Sequence, residues 1–172
     1  MKVPRAILLL LILASCAPIR VNYDFEKNID FRKYKTYNYY SDLETGFSEL
    51  DTNRFLNALD DALKTKGYIL SEDPDFFINI QSAEIESINR NSVGIGVGGS
   101  GRNVGGGVSI GLPLANSNIN RQIILDFHDE NGIGLFWQAV AECSFNINAT
   151  PLKREERFKA ITEKMVSKFP PQ

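Results

Sequence analysis

Two periodicities organise this chain. From Leu135 onward the odd positions Leu135, Trp137, Ala139, Ala141, Cys143, Phe145 and Ile147 are apolar, while Gln138, Glu142, Ser144, Asn146 and Asn148 stand among the even ones. A repeat of two predicts a long strand with one core face, and it places Cys143 on that face. Ile123, Leu125 and Phe127 set against Ile124 and Asp126 predict a preceding strand over 121–127, with Asp129-Glu130-Asn131-Gly132 as the hairpin turn between them. Phe76, Ile78 and Ile80 alternate with Asn79 and Gln81 after the turn Asp73-Pro74-Asp75, which predicts a strand running to about Ile88. Nearer the front, Val21 to Phe25 and the aromatic, β-branched run Tyr34, Thr36, Tyr37, Tyr39 and Tyr40 read as two more strands, with a loop over Asp42 to Ser48.

Elsewhere the period lengthens to about 3.6 residues, the repeat of an amphipathic helix. Phe55, Leu56, Leu59, Ala62 and Leu63 predict a helix capped by Asp51 or Thr52, and Gly67 suits the left-handed position that ends it. Phe158, Ile161, Met165, Val166 and Phe169 form the apolar stripe of a last helix, which Thr150 caps, Pro151 opens and Pro170-Pro171 end. The resulting order β-β-α-β-β-β-β-β-α, with tight hairpins, predicts an α+β single domain in two layers: a mainly antiparallel β-sheet with two helices packed on it.

Two of those strands come from a segment unlike the rest. From about 93 to 112 glycine alternates with branched apolar residues, with Gly94, Gly96 and Gly98 on one side and Gly107 and Gly111 on the other. The halves mirror each other, which predicts a hairpin with one face of nearly bare backbone. Gly96-Val97-Gly98-Gly99-Ser100-Gly101 spells a dinucleotide fingerprint, but that motif needs a helix directly after its glycines to meet a pyrophosphate, and here a second glycine-rich strand follows. No nucleotide cofactor is expected. A face without side chains instead lets another backbone, a ligand or a bilayer approach closely, so these five glycines form an expected interaction surface.

The N-terminus addresses the chain to a membrane. Lys2 and Arg5 precede an apolar run, Ala6 to Leu13, that is too short to span a bilayer, and Leu13-Ala14-Ser15-Cys16 follows. This stretch resembles a bacterial lipobox, which implies a signal peptide over 1–15, acylation of the Cys16 thiol by a diacylglyceryl group, cleavage before it, and further acylation such as palmitate on the new amine. Two or three chains make release from the membrane negligible, since each buried CH₂ contributes about 0.8 kcal/mol. In that pattern an aspartate after the cysteine marks retention at the inner membrane. Ala17 stands there instead, which implies a lipoprotein of the outer membrane facing the periplasm. Residues 16–20 then form a lipidated start and a tether on the order of 15 Å long, and the domain occupies 21–172.

Charge and reactive residues narrow the functions further. The chain carries 19 basic and 21 acidic residues, and it becomes more acidic once Lys2 and Arg5 leave with the leader. No basic patch suits phosphate neutralisation, which excludes nucleic acid as an expected partner. With Cys16 acylated, Cys143 has no partner for a disulfide, and its place on an apolar face predicts a buried thiol. The sole histidine, His128, stands between Asp126 and Asp129-Glu130 on the polar face of a strand at its turn, where a solvated role is expected and no serine elbow accompanies it. One histidine and one thiol do not make a transition-metal site, and the acidic turns lack the spacing of a calcium loop. Neither a catalytic residue nor a metal is therefore expected.

Asp24, Tyr34-Lys35-Thr36-Tyr37, Lys66-Gly67-Tyr68, Asp73-Pro74-Asp75-Phe76, the strand ending at Asp126, Leu135-Phe136-Trp137 and Lys168-Phe169-Pro170-Pro171 occur in an order and spacing that resemble the lipoprotein family of domain of unknown function 4136. Gln138 stands where that family often has arginine. The resemblance implies an envelope-anchored α+β domain with no assigned reaction. The expected function is a membrane-anchored, non-enzymatic binding or structural module that docks a protein or envelope component through the glycine hairpin or an exposed strand edge. The alternative is a periplasmic carrier of a lipid or small apolar ligand, motivated by the tyrosines at 34–40 and the site at the bilayer.

Overall fold

The computed structural model describes residues 18–85 and 118–171. Cys16 with its leader, and the expected hairpin with Gly94, Gly96, Gly98, Gly107 and Gly111, lie outside the described residues. The strands are β1 (Arg20–Phe25), β2 (Thr36–Tyr39), β3 (Ile69–Leu70), β4 (Phe76–Ile85), β5 (Asn118–Asp129) and β6 (Gly134–Asn146). They form one sheet in the order β1-β6-β5-β4-β2-β3. β1, β6, β5 and β4 pair antiparallel, whereas β2 runs parallel to both β4 and β3. The sheet is mixed because a helix, α1 (Glu49–Thr65), follows β2 and returns the chain to the same end before β3 and β4 begin. A second helix, α2 (Pro151–Met165), follows β6.

Ser48, and not the expected Asp51 or Thr52, caps α1: its Oγ accepts the Asp51 backbone N–H at 3.3 Å. The apolar repeat marks only the buried part of the helix: in the extra turn Glu49 and Leu50 are exposed and Asp51 is half-buried, and both acids lie near the positive helix end. At the other end Gly67 has φ 87°. Its N–H donates to the Lys64 carbonyl at 2.9 Å, and that of Tyr68 donates to Leu63 at 3.1 Å. These paired bonds close the helix by satisfying its last carbonyls, and a residue with a Cβ is strained at that φ. Thr150 caps α2 and Pro151 opens it, as the sequence predicts.

Both helices lie on one face of the sheet, and the layer between is largely aromatic. Phe55, Phe76, Phe127, Phe136, Trp137, Phe158 and Phe169 are all fully buried. Phe127 meets Trp137 at 4.6 Å and Phe169 at 4.7 Å between ring centroids, while Tyr34 stacks on Phe136 at 4.1 Å. Each such side chain contributes about 1.5–3 kcal/mol by leaving water. Leu135, expected on the core face, is 46% exposed, and Phe136 is buried in its place. The cause is a β-bulge: Phe127 pairs with Trp137 but His128 pairs with Leu135, so Phe136 is an extra residue that reverses the alternation. Ile147, also expected on that face, lies beyond the end of β6 and is 50% exposed.

α1 and α2 run parallel. Arg154 Nη1 donates to Asp51 Oδ2 at 2.6 Å near their starts, and Thr162 Oγ1 donates to the Ala58 carbonyl at 3.2 Å further along. One end of the domain therefore gathers the start of β1, the ends of β4 and β6, the start of β5 and both helix N-termini. The opposite end holds β3 and the β5–β6 turn.

Candidate docking edge

The sheet has two edges among the described residues, and they differ in character. β1 carries the charged Arg20 and Asp24, and the Tyr23 hydroxyl ties it to α2 by donating to the Lys164 carbonyl at 2.6 Å. Charge on an edge strand discourages further pairing. β3 is apolar: Ile69 is 64% and Leu70 53% exposed. The Ile69 N–H donates to Lys35 O at 3.0 Å and the Ser71 N–H to Tyr37 O at 2.9 Å, which satisfies the inward side of this short strand. The outer side is the sheet's margin.

A groove of about 610 Å³ runs between β3 and α1, with Asn57, Asp60, Asp61 and Lys64 on the helix side and Ile69 and Leu70 on the strand side. Its floor is set by Asp60, whose Oδ1 accepts the Tyr37 hydroxyl at 2.7 Å and the Tyr39 hydroxyl at 2.6 Å. Burial first, and then the neighbouring Asp60 charge, push both phenols well above the ordinary tyrosine value. They remain protonated donors at neutral pH. Burial alone pushes Tyr68, in the same groove, up to about 12. The groove thus presents apolar strand side chains beside a rim of two carboxylates and one ammonium, which suits an extended segment with apolar and basic side chains.

The residues singled out by sequence fall elsewhere. His128 is half-buried on the face of the sheet that the helices do not cover, with its ring 6.1 Å from that of Tyr40. Both aspartates near it in sequence are engaged away from it: Asp126 Oδ1 accepts Gln138 Nε2 at 2.7 Å, and Asp129 Oδ2 accepts Lys33 Nζ at 2.8 Å and the Tyr34 hydroxyl at 2.9 Å. Asp75 likewise serves the backbone, accepting the N–H groups of Lys35 and Thr36 at 2.7 and 2.8 Å. Cys143 is buried, with Sγ 3.7 Å from the Arg121 carbonyl, and burial pushes its thiol up to about 11 against the opposing pull of Arg157 and Arg121. Among the described residues no group of three His, Cys, Asp or Glu side chains is arranged to hold a metal, and no helix is long and apolar enough to cross a membrane. Sequence reasoning missed the Asp60 pair and the β3 groove. Tyr37 and Tyr39 stand two apart in a strand, so both point to one face, and that spacing was the available signal.

Comparison with solved structures shows the fold shared. A PDZ domain protein from Parabacteroides distasonis matches with a TM-score of 0.54 at 16% identity, over 91% of this chain and 36% of that one. The chain therefore spans about a third of that protein's length. A PelC dodecamer from Paraburkholderia phytofirmans matches with a TM-score of 0.51 at 6% identity, over 87% of this chain and 96% of that one. No curated protein matches the sequence. The sequence model of one family covers residues 21–171, nearly the whole span of the domain, and the chain belongs to that family, the domain of unknown function DUF4136.

Proposed function

We propose that this protein is a non-enzymatic module of the bacterial envelope, held by acyl chains on Cys16 at the periplasmic face of the outer membrane, which docks a protein or envelope component along β3 and the groove beside α1. The observation that carries the reading is the exposed apolar edge formed by Ile69 and Leu70 next to Asp60 and Asp61. Strand addition at such an edge supplies affinity through main-chain hydrogen bonds, and side-chain pockets beside it supply selectivity. The lipobox supports the location. PelC, which shares the fold, is a dodecamer, so a second copy of this chain belongs among the partners to be tested.

The carrier reading needs an apolar cavity between the helices and the sheet. That layer is filled by Phe55, Phe76, Phe127, Phe136, Trp137, Phe158 and Phe169, which favours docking. The test is the double variant Ile69→Lys/Leu70→Lys. Both positions are exposed, so stability should stay within about 0.5 kcal/mol of the parent. In intact cells the variant should lose the crosslinked species of the parent, and in solution any self-associated species seen by sedimentation. Unchanged crosslinks and unchanged mass would move the docking surface away from β3. Mass spectrometry of the native protein should show diacylglyceryl and acyl groups on Cys16 as the first residue. An unmodified Cys16 there would overturn the anchor.

A further inference from the structure

The chain enters the domain beside a cationic groove. Pro18 and Arg20 line a shallow depression with Ile85, Asn120, Glu142 and Ser144. Ser144 also borders a second groove of about 380 Å³, between the end of β6 and the start of α2, whose charged lining residues are Lys153, Arg154 and Arg157, with no carboxylate among the side chains that line it. Arg154 braces the connection. Its Nη2 donates to the Ile147 carbonyl at 2.7 Å while Nη1 holds Asp51. The Ala149 N–H donates to Asn146 O at 3.1 Å, so the loop carrying Ile147 is pinned at both ends. On this braced connection two aliphatic side chains face solvent: Ile147 is 50% and Leu152 64% exposed, and Lys153 beside them is exposed as well. Of the acidic side chains near this end, Glu84 is paired with Arg121 at 3.1 Å and Asp51 with Arg54 at 2.8 Å as well as with Arg154, while Glu49 at the start of α1 and Glu142 beside Arg20 are exposed, so the positive charge is local to the groove that Lys153 lines.

Cys16 precedes Pro18 by two residues, which is about 7 Å of extended chain. A headgroup layer is roughly 5–8 Å thick on each side of the hydrocarbon core. An acylated Cys16 therefore holds this end of the domain within the headgroups, and whatever is exposed there meets lipid.

We propose that this end is a second membrane contact, in which Ile147 and Leu152 enter the boundary between headgroups and acyl chains and Lys153, at the mouth of the groove, binds the phosphate of an anionic phospholipid. The inference rests on acylation of Cys16 proposed above and adds an orientation that acylation alone does not impose: the helix N-termini face the bilayer and β3 faces away. Aliphatic side chains flanked by a cation are the pattern of interfacial binding, and each lysine near an anionic surface strengthens partition roughly fivefold.

The test uses the full-length acylated protein in vesicles of phosphatidylethanolamine and phosphatidylglycerol that contain a spin-labelled quencher lipid. Leu152→Cys and, as the control at the opposite end, Ile133→Cys are labelled with a fluorophore in separate preparations. Both sites are exposed, and the buried Cys143, with its raised thiol pKa, resists labelling. Quenching several-fold greater at Leu152→Cys than at Ile133→Cys, and reduced when Lys153→Glu is added, is the expected result. Equal quenching at the two sites while the protein still floats with the vesicles would overturn the orientation and leave the anchor standing. Quenching at Leu152→Cys that ignores Lys153→Glu would overturn phosphate binding. Failure of the acylated preparation to float would remove the anchor and this inference together.

Discussion

Asp129 stands in sequence among turn residues, where a carboxylate ordinarily meets water, yet it is buried. The Lys33 ammonium first, opposed by burial and helped by the Tyr34 hydroxyl, holds its carboxyl below the usual range. A folded-state pKa below the unfolded value means that the group adds stability above its unfolded pKa and loses it as pH falls through the folded one. Asp30, held to about 2 by Arg32, and Asp75, held low by backbone N–H groups against its own burial, act in the same direction. Thermal unfolding followed from neutral pH downward should therefore show a falling midpoint below about pH 4, and Asp129→Asn should make that fall shallower. Asp129→Ala should cost about 1–3 kcal/mol at neutral pH in chemical denaturation, because the buried Tyr34 hydroxyl loses its acceptor.

The bulge in β6 decides which of two adjacent side chains belongs to the core. Phe136→Ala should cost about 3–5 kcal/mol, the range for removing a buried ring, whereas Leu135→Ala should stay within about 0.5 kcal/mol, as exposed positions do. Equilibrium denaturation of the pair would expose a strict alternation if the order were reversed. This is also where sequence reading stops. The period of two correctly places Trp137, Ala139, Ala141 and Cys143 inside, but periodicity does not register one inserted residue, because Leu135 and Phe136 are equally apolar. β3 is only two residues long, Ile69 and Leu70, too short for any repeat, so the edge proposed for docking left no pattern to read. The parallel pairing of β2 is likewise set by where α1 returns the chain and not by the composition of Tyr37 or Tyr39. The helices were legible because their buried stripes are long: Phe55, Leu59, Ala62 and Leu63 in one, and Phe158, Ile161 and Met165 in the other.

One aromatic layer joins both helices and every described strand except β3, and Trp137, the single tryptophan, sits inside it. Unfolding monitored by tryptophan emission and by far-ultraviolet circular dichroism should give coincident transitions, as a single cooperative unit requires, and separated midpoints would show that the sheet and the helices melt apart. The pairing of β1 with β6 adds a condition on assembly. Arg20 lies opposite Glu142 and Phe25 opposite Trp137, so the first strand of the domain waits for nearly the last. Closing so long a loop is entropically costly and slow. On the export route proposed above, a chain translocated from its N-terminus would expose β1 long before β6 emerges, so maturation of the front end would run ahead of folding, and an arrest of export before β6 would leave an unpaired strand for proteases and holdase chaperones to seize.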